Sequence, residues 1–277
     1  MRIQLFSDLH LERYPDFRPQ FLPDADVVVL AGDIGSYQQG SRLASQDFGL
    51  ERFSPLQGEL AGKPVLFIPG NHEFDGLDYD ETCTRLRATC ERLGITWLDR
   101  EIVTIGPVRF IGTTLWSDFE ALALRETDLT KQLQQRTKAF RAANYYLAKN
   151  TTLKDGEPVL AEGWRALALD CQAWLREMLA LPFNGKTVVV THFAPSLLSA
   201  DPRYGVTPGT AGFCNSLDGL FKRADVWMHG HLHCMNDYVV EGRDGAHSWA
   251  CRVVANPLGY LSKGEQEGYR PELLIEL

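Results

Sequence analysis

Carboxylate, amide and imidazole side chains recur just past the apolar runs of this sequence. Asp8 and His10 close RIQLFSDLH, Asp33 closes DVVVLAGD, and Asn71 and His72 follow PVLFIPG. His192 follows TVVVT, and His231 and His233 follow ADVWMHG. Taken singly, an aspartate after a strand serves a turn or caps the next helix, and a lone histidine is a packed or surface residue. The ordered set D-x-H, GD, GNHE, TH and GHLH, each after an apolar run, points instead to a metal site assembled from distant parts of the chain. Mixed imidazole, carboxylate and amide donors without thiolate suit Mn²⁺, Fe or Zn²⁺ in a reactive site rather than a structural cysteine-type zinc site.

Such a set must be positioned by strands. The runs 2–8, 26–33, 64–71, 108–116, 187–193, 224–231 and 251–257, with ELLIEL at the C-terminus, are rich in Val, Ile, Leu and Phe and read as strands buried on both faces. In an α/β sheet, sites gather outside the carboxyl ends of such strands, where loops converge. Residues 158–181 carry Leu160, Trp164, Leu167, Cys171, Trp174, Leu175 and Met178 at helical spacing, and a second helix is expected over 79–93 before the Gly94 stop. The chain turns polar between 117 and 156, where ETDLTKQLQQRTKAF predicts an exposed helix. This is an insertion over the core of one domain, 1–277, because the candidate ligands lie on both sides of it.

The 277 residues are 44% hydrophobic and 23% charged, enough for a substantial core. A net charge of −8 and an isoelectric point near 5.4 argue against a protein that grips long nucleic acid. The start MRIQLFSDLH carries no signal-like segment, no apolar stretch is long enough to span a bilayer, and the six cysteines form no CxxC pair. Reduced thiols in a cytoplasmic protein are therefore expected, with Cys83 and Cys90 in core or half-buried positions on one helix.

SDLH (7–10), AGD (31–33), GNHE (70–73), TH (191–192) and GHLH (230–233) together resemble the five blocks of the calcineurin-like metallophosphoesterases, over a span from residue 7 to at least 233. TLWSDF (114–119), NYY (144–146), VVVTHFAP (188–195) and NPLGY (256–260) are similar to a bacterial subgroup of that family. The resemblance implies a four-layer αββα sandwich of two mixed sheets flanked by helices, with two divalent ions at the sheet edge. It implies a first ion site of Asp8, His10, Asp33 and His233 and a second of Asp33, Asn71, His192 and His231, with Asp33 bridging. MHGHLHCMNDY (228–238) places three histidines on alternate residues, which an extended chain would present on one face. On this reading only His231 and His233 are ligands, Gly230 frees the backbone to leave the strand, and His229 supports by packing.

Two such ions lower the pKa of a bridging water, whose hydroxide attacks phosphorus. The resemblance makes His72 the general acid for the leaving alkoxide. The protein phosphatases of the family carry GDxxDRG, whose second aspartate orients that histidine. Here the block reads GDIGSY, which argues against a protein phosphatase and leaves the partner of His72 unassigned. The full D-x-H at the first site is similar to that of related enzymes that cleave phosphodiesters, so the resemblance implies a small phosphodiester as substrate. A phosphomonoester, from a nucleotide or phosphoprotein, is the alternative, and a non-catalytic scaffold is disfavoured by the complete ligand set. Arg203 and Tyr204 are candidate substrate contacts in a Gly/Pro-rich loop, equally readable as a cover. Asn144, Tyr145 and Tyr146 could cap the site or simply pack on a helix, and the sequence is silent on oligomeric state.

Overall fold

The computed structural model describes residues 1–149 and 152–277; residues 150 and 151, inside the expected insertion, lie outside the described residues. In chain order the elements begin β1 (Arg2–Phe6), β2 (Val27–Ala31), β3 (Val65–Ile68), α1 (Tyr79–Leu93), β4 (Thr96–Trp97), β5 (Glu101–Ile105) and β6 (Val108–Thr113). They continue with α2 (Leu129–Leu147), a short ribbon of β7 (Leu153–Lys154) and β8 (Glu157–Pro158), α3 (Ala161–Ala180), β9 (Lys186–Thr191), β10 (Val226–His229), β11 (Asn236–Asp244), β12 (His247–Ala255) and β13 (Leu274–Glu276). One sheet has the order β13-β1-β2-β3-β4, the other β11-β12-β10-β9-β6-β5. β1, β2, β3 and β4 run parallel, as do β6, β9, β10 and β12, while β13, β5 and β11 join antiparallel at the edges.

The two faces of each strand go to different layers, as a period of two demands. Ile3, Leu5, Val27, Val29 and Ala31 of the first sheet meet Val188, Val190, Val226 and Met228 of the second in one buried cluster between the sheets. The alternate residues, among them Phe6, Val28, Leu30, Val189 and Trp227, belong to a second cluster that includes Leu86 and Cys90 of α1 and Trp164, Ala168, Cys171 and Leu175 of α3. Strands covered on both faces need continuous apolar runs, which is why the sequence shows them. The layers are thus helix, sheet, sheet, helix.

α1 starts where the Asp78 carboxylate accepts from the N–H groups of Asp80 and Glu81, and stops at Gly94 with φ 72°. α2 is the exposed helix expected in the polar stretch. It is tied to α3 by Glu120, which pairs with Arg136 on α2 and Arg165 on α3, and by Asn144 Oδ1, which accepts from Ala161 N. Asn144 therefore serves helix packing, and Tyr145 and Tyr146 are exposed. Trp116 is core, stacked on Trp164 at 4.0 Å.

Several strands end earlier than their apolar runs suggest. β1 stops at Phe6, β2 at Ala31, β6 at Thr113 and β10 at His229, because Asp8, Asp33, Leu115, Trp116 and His231 take positive φ values incompatible with a strand. β5 and β11 lack an apolar-run signature: both are edge strands, and β11 alternates intermediate and exposed residues. β12 starts at His247, four residues before the expected run, through its hairpin with β11.

The role of α3 as sheet cover can be checked by two leucines on its opposite sides. Leu175 is fully buried and Leu169 is 39% exposed. Leu175→Ala should cost about 2–5 kcal/mol in urea unfolding and Leu169→Ala under about 0.5 kcal/mol; equal losses would show that α3 does not bury that face.

Candidate metal centre

All the parallel strands point their carboxyl ends at one edge, and the polar residues just past β1, β2, β3, β9 and β10 meet there. One ligand atom from each of Asp8, His10, Asp33 and His233 lies within 4.8 Å of the others, and Asp33, His192 and His231 form a second such group. Asp33 belongs to both. Asn71 lies beside the second group, its Oδ1 3.2 Å from His192 Nε2. Every residue that the sequence suggests as a ligand is therefore brought to this edge, buried or half-buried.

The backbone is bent to achieve this. Asp8, His10, Asp33, His231 and His233 have φ of 51°, 47°, 55°, 73° and 49°. Asp and His enter this left-handed region more readily than most residues, but such angles persist only where surrounding bonds fix them. Glu73 supplies several of those bonds. Its buried carboxylate accepts from the N–H groups of Asp33 (3.0 Å), Ile34 (2.6 Å), Gly35 (3.3 Å) and Gly70 (2.7 Å), fastening the turn after β2 to the turn after β3. Burial and the neighbouring Asp33 carboxylate raise its pKa to about 7. Gly230 acts differently from expectation: the left-handed turns fall on His231 and His233, while at Gly230 a Cβ would stand 2.6 Å from Asp8 Oδ2. Its missing side chain admits the carboxylate.

The donor set fits cations. Glu12 accepts from His10 Nδ1 at 3.2 Å and Glu265 from His233 Nδ1 at 2.6 Å. That leaves the two Nε2 atoms facing each other at 3.1 Å, lone pair toward lone pair unless a cation or proton lies between. Asp33 Oδ2 and His231 Nε2 are buried with no hydrogen-bond partner, although Asp33 Oδ2 is 3.2 Å from His192 Nε2. Burial alone would lower the pKa values of His192 and His233, yet Asp33 beside the first and Asp8 with Glu265 beside the second raise both to about 9. Without ions, the histidines hold protons to balance the carboxylates. Divalent cations would take over that balance.

His72 stands at the mouth, its side chain 18% exposed, and its N–H donates to Asp33 Oδ1 at 2.8 Å. Its Nδ1 contacts the carboxylate of Asp75, three residues on, which is the partner that sequence reading left unassigned. GNHEFD carries the signal: a 3-10 turn over His72–Phe74 returns the aspartate to the ring. Burial lowers the imidazole pKa, but the carboxylates of Asp33 and Asp75 outweigh it and raise it to about 10. Tyr260, also unflagged as a site residue, stacks on His10 with centroids 4.3 Å apart.

The remaining candidates divide. Arg203 holds Asp201 through Nε and Nη2, at 2.9 and 2.6 Å to Oδ2, and donates to the carbonyl of His233 at 3.1 Å, so it borders the site. Tyr204 is 65% exposed and lies against the Arg203 guanidinium. His229 is buried in β10, with Nε2 2.9 Å from Ser199 Oγ and Nδ1 3.0 Å from the Gly230 carbonyl, a supporting position outside both donor groups. Burial pushes the Cys234 thiol up to about 11, so it stays in the thiol form at neutral pH. No described helix is long and apolar enough to cross a membrane.

An uncharacterised protein, L509, of Acanthamoeba polyphaga mimivirus is 23% identical over 304 residues, covering 100% of this chain and 97% of that one. Among solved structures, the phosphopantetheinyl hydrolase of Mycobacterium tuberculosis superposes with a TM-score of 0.63 at 20% identity, covering 96% of this chain and 92% of that one. A dimetal phosphatase from Danio rerio matches with a TM-score of 0.42 at 14% identity, over 92% and 86% of the two chains. The family model of the calcineurin-like phosphoesterases matches residues 1–235, and with the blocks from Asp8 to His233 gathered at one sheet edge, the chain belongs to that family of metal-dependent phosphoester hydrolases.

Proposed function

We propose that the protein hydrolyses a small phosphodiester at a dinuclear centre, with Asp8, His10, Asp33 and His233 as ligands of one ion and Asp33, Asn71, His192 and His231 as ligands of the other. The observation that carries this reading is the shared Asp33, whose second oxygen is buried without a hydrogen bond where the two donor groups meet. Mn²⁺, Fe or Zn²⁺ bound there would supply an activated water and neutralise charge on the phosphoryl oxygens. The protein's own part in proton transfer falls to His72. Asp75 fixes its ring by accepting a hydrogen bond from Nδ1–H, leaving Nε2 aimed away from the carboxylate. Held protonated by Asp33 and Asp75, His72 donates from Nε2 to the leaving alkoxide. The full Asp8-x-His10 pair and the absence of the Asp and Arg of GDxxDRG support the diester over the phosphoprotein reading. Arg203, anchored beside His233, supplies a positive group for a second anionic or polar part of the substrate. The whole chain, 1–277, acts on this reading as one domain with a helical insertion, in a reducing cytoplasmic setting that keeps its cysteines free.

A screen of phosphodiesters and phosphomonoesters in one Mn²⁺ buffer tests the substrate class, and phosphopantetheinyl esters belong in it because the structural relative bears that name. Turnover is expected on diesters; preference for monoesters would reverse the assignment. Loading to 100 times Kd should stabilise the fold by about 2.7 kcal/mol per ion in thermal unfolding. His192→Ala should bind one ion fewer and lose turnover with it, and Asp33→Asn should weaken both ions. His72→Ala should keep the ions and lose about 10²–10⁴ in kcat on esters with poor leaving groups, with little loss on p-nitrophenyl esters. Asp75→Asn should follow the same leaving-group pattern with a smaller loss; an Asp75→Asn loss independent of the leaving group would remove its role in proton transfer.

A further inference from the structure

The imidazoles of the two ion sites are backed by different chemistry. At the first site both lean on buried carboxylates: His10 Nδ1 on Glu12 and His233 Nδ1 on Glu265. At the second, His192 Nδ1 donates to the neutral carbonyl of Ala31 at 2.8 Å, and no carboxylate hydrogen-bonds the His231 ring among the described residues. A carboxylate behind a ligating imidazole fixes its tautomer, orients the ring and makes the metal-facing nitrogen more basic, whereas a carbonyl orients without adding charge.

Glu265 comes from a segment beyond residue 235, where the family match ends. That segment follows the exit of β1, with Leu258 N donating to Ser7 O at 3.2 Å and Gly259 N to Asp8 O at 2.9 Å. Gly259, at φ 68°, lets the chain pass where a Cβ would lie 2.7 Å from Glu265 Cβ and 3.2 Å from His233 Cβ. Tyr260 then stacks on His10, and its N–H donates at 2.8 Å to the same Glu265 oxygen that accepts from His233. The segment thus touches Asp8, His10 and His233, the donors exclusive to the first site.

We propose that Glu265 is a positioning residue for the first ion site, holding His233 as an Nε2 donor, and that Glu265 and Glu12 together make this the tighter of the two sites. The inference rests on the metal-binding half of the reading above and is independent of hydrolysis.

Titration of the metal-free full-length protein with Mn²⁺, with free Mn²⁺ read by electron paramagnetic resonance, tests it. The wild type should show a tighter and a weaker ion, and His231→Ala should delete the weaker one. Glu265→Gln should weaken the tighter ion roughly 10–100-fold and leave the weaker unchanged. Glu12→Gln should act in the same direction, and it carries the test if Glu265→Gln does not fold. Loss of the tighter ion in His231→Ala would overturn the proposal, as would wild-type binding, or equal weakening of both ions, in folded Glu265→Gln. A protein that binds the ions in this pattern yet cleaves no phosphoester would remove the proposed function and leave this inference standing.

Discussion

The structure depends on holding Asp33 ionised while buried and in the left-handed backbone region, with one oxygen paired only with His192 at 3.2 Å. Burial opposes the charge, and the nearby His192 and His72 imidazoles overcome that opposition to keep the pKa well below the usual carboxylate range. One oxygen accepts from His72 N–H, which fixes the carboxylate plane. The other lies 3.2 Å from His192 Nε2, where the two donor groups meet. A buried charge without such compensation would cost several kcal/mol, so the two histidines are a condition for the site to exist, while Glu73 fastens the backbone turns that place it.

The sandwich meets these conditions through strand direction. Parallel neighbours deliver all their carboxyl ends to one edge, so each sheet contributes several turns to the same place. Asp8, Asp33 and Asn71 arrive from the first sheet and His192, His231 and His233 from the second. The centre therefore bridges the two sheets, and the apolar cluster between them fixes its geometry. A shift of the sheets would separate Asp8 from His233 and Asp33 from His192.

Much of this is legible in the sequence because it is local. Continuous apolar runs give buried strands, Gly94 marks the end of α1, and the polar residues after each run name the candidate donors. What escapes is whatever depends on a long-range meeting. Glu12 and Glu265 look like ordinary surface glutamates until His10 and His233 reach them. Glu73 sits in a quoted motif, yet its four backbone partners are set by the turn after β2. Asp75 is the exception that was within reach: three residues past His72, its spacing allows return through a single 3-10 turn. Edge strands β5 and β11 are hidden for a different reason, since one-sided burial leaves no apolar run to read.

The position of Asp75 also bears on GDIGSY, which lacks the Asp and Arg of the GDxxDRG block of the family's protein phosphatases. On the proposed reading a carboxylate at Nδ1 orients His72 and favours its protonated form, and geometry does not require that carboxylate to come from the turn after β2. Here it comes from the histidine's own turn, while the turn after β2 is fastened by Glu73 and carries the buried Ser36. The consequence is mechanical. With the aspartate on a separate loop, movement of that loop would alter the histidine's orientation; with both on one 3-10 turn, ring and carboxylate move together. The turn after β2 keeps Asp33 in both donor groups, while the side chains of GDIGSY beyond Asp33 take no part in orienting the His72 ring.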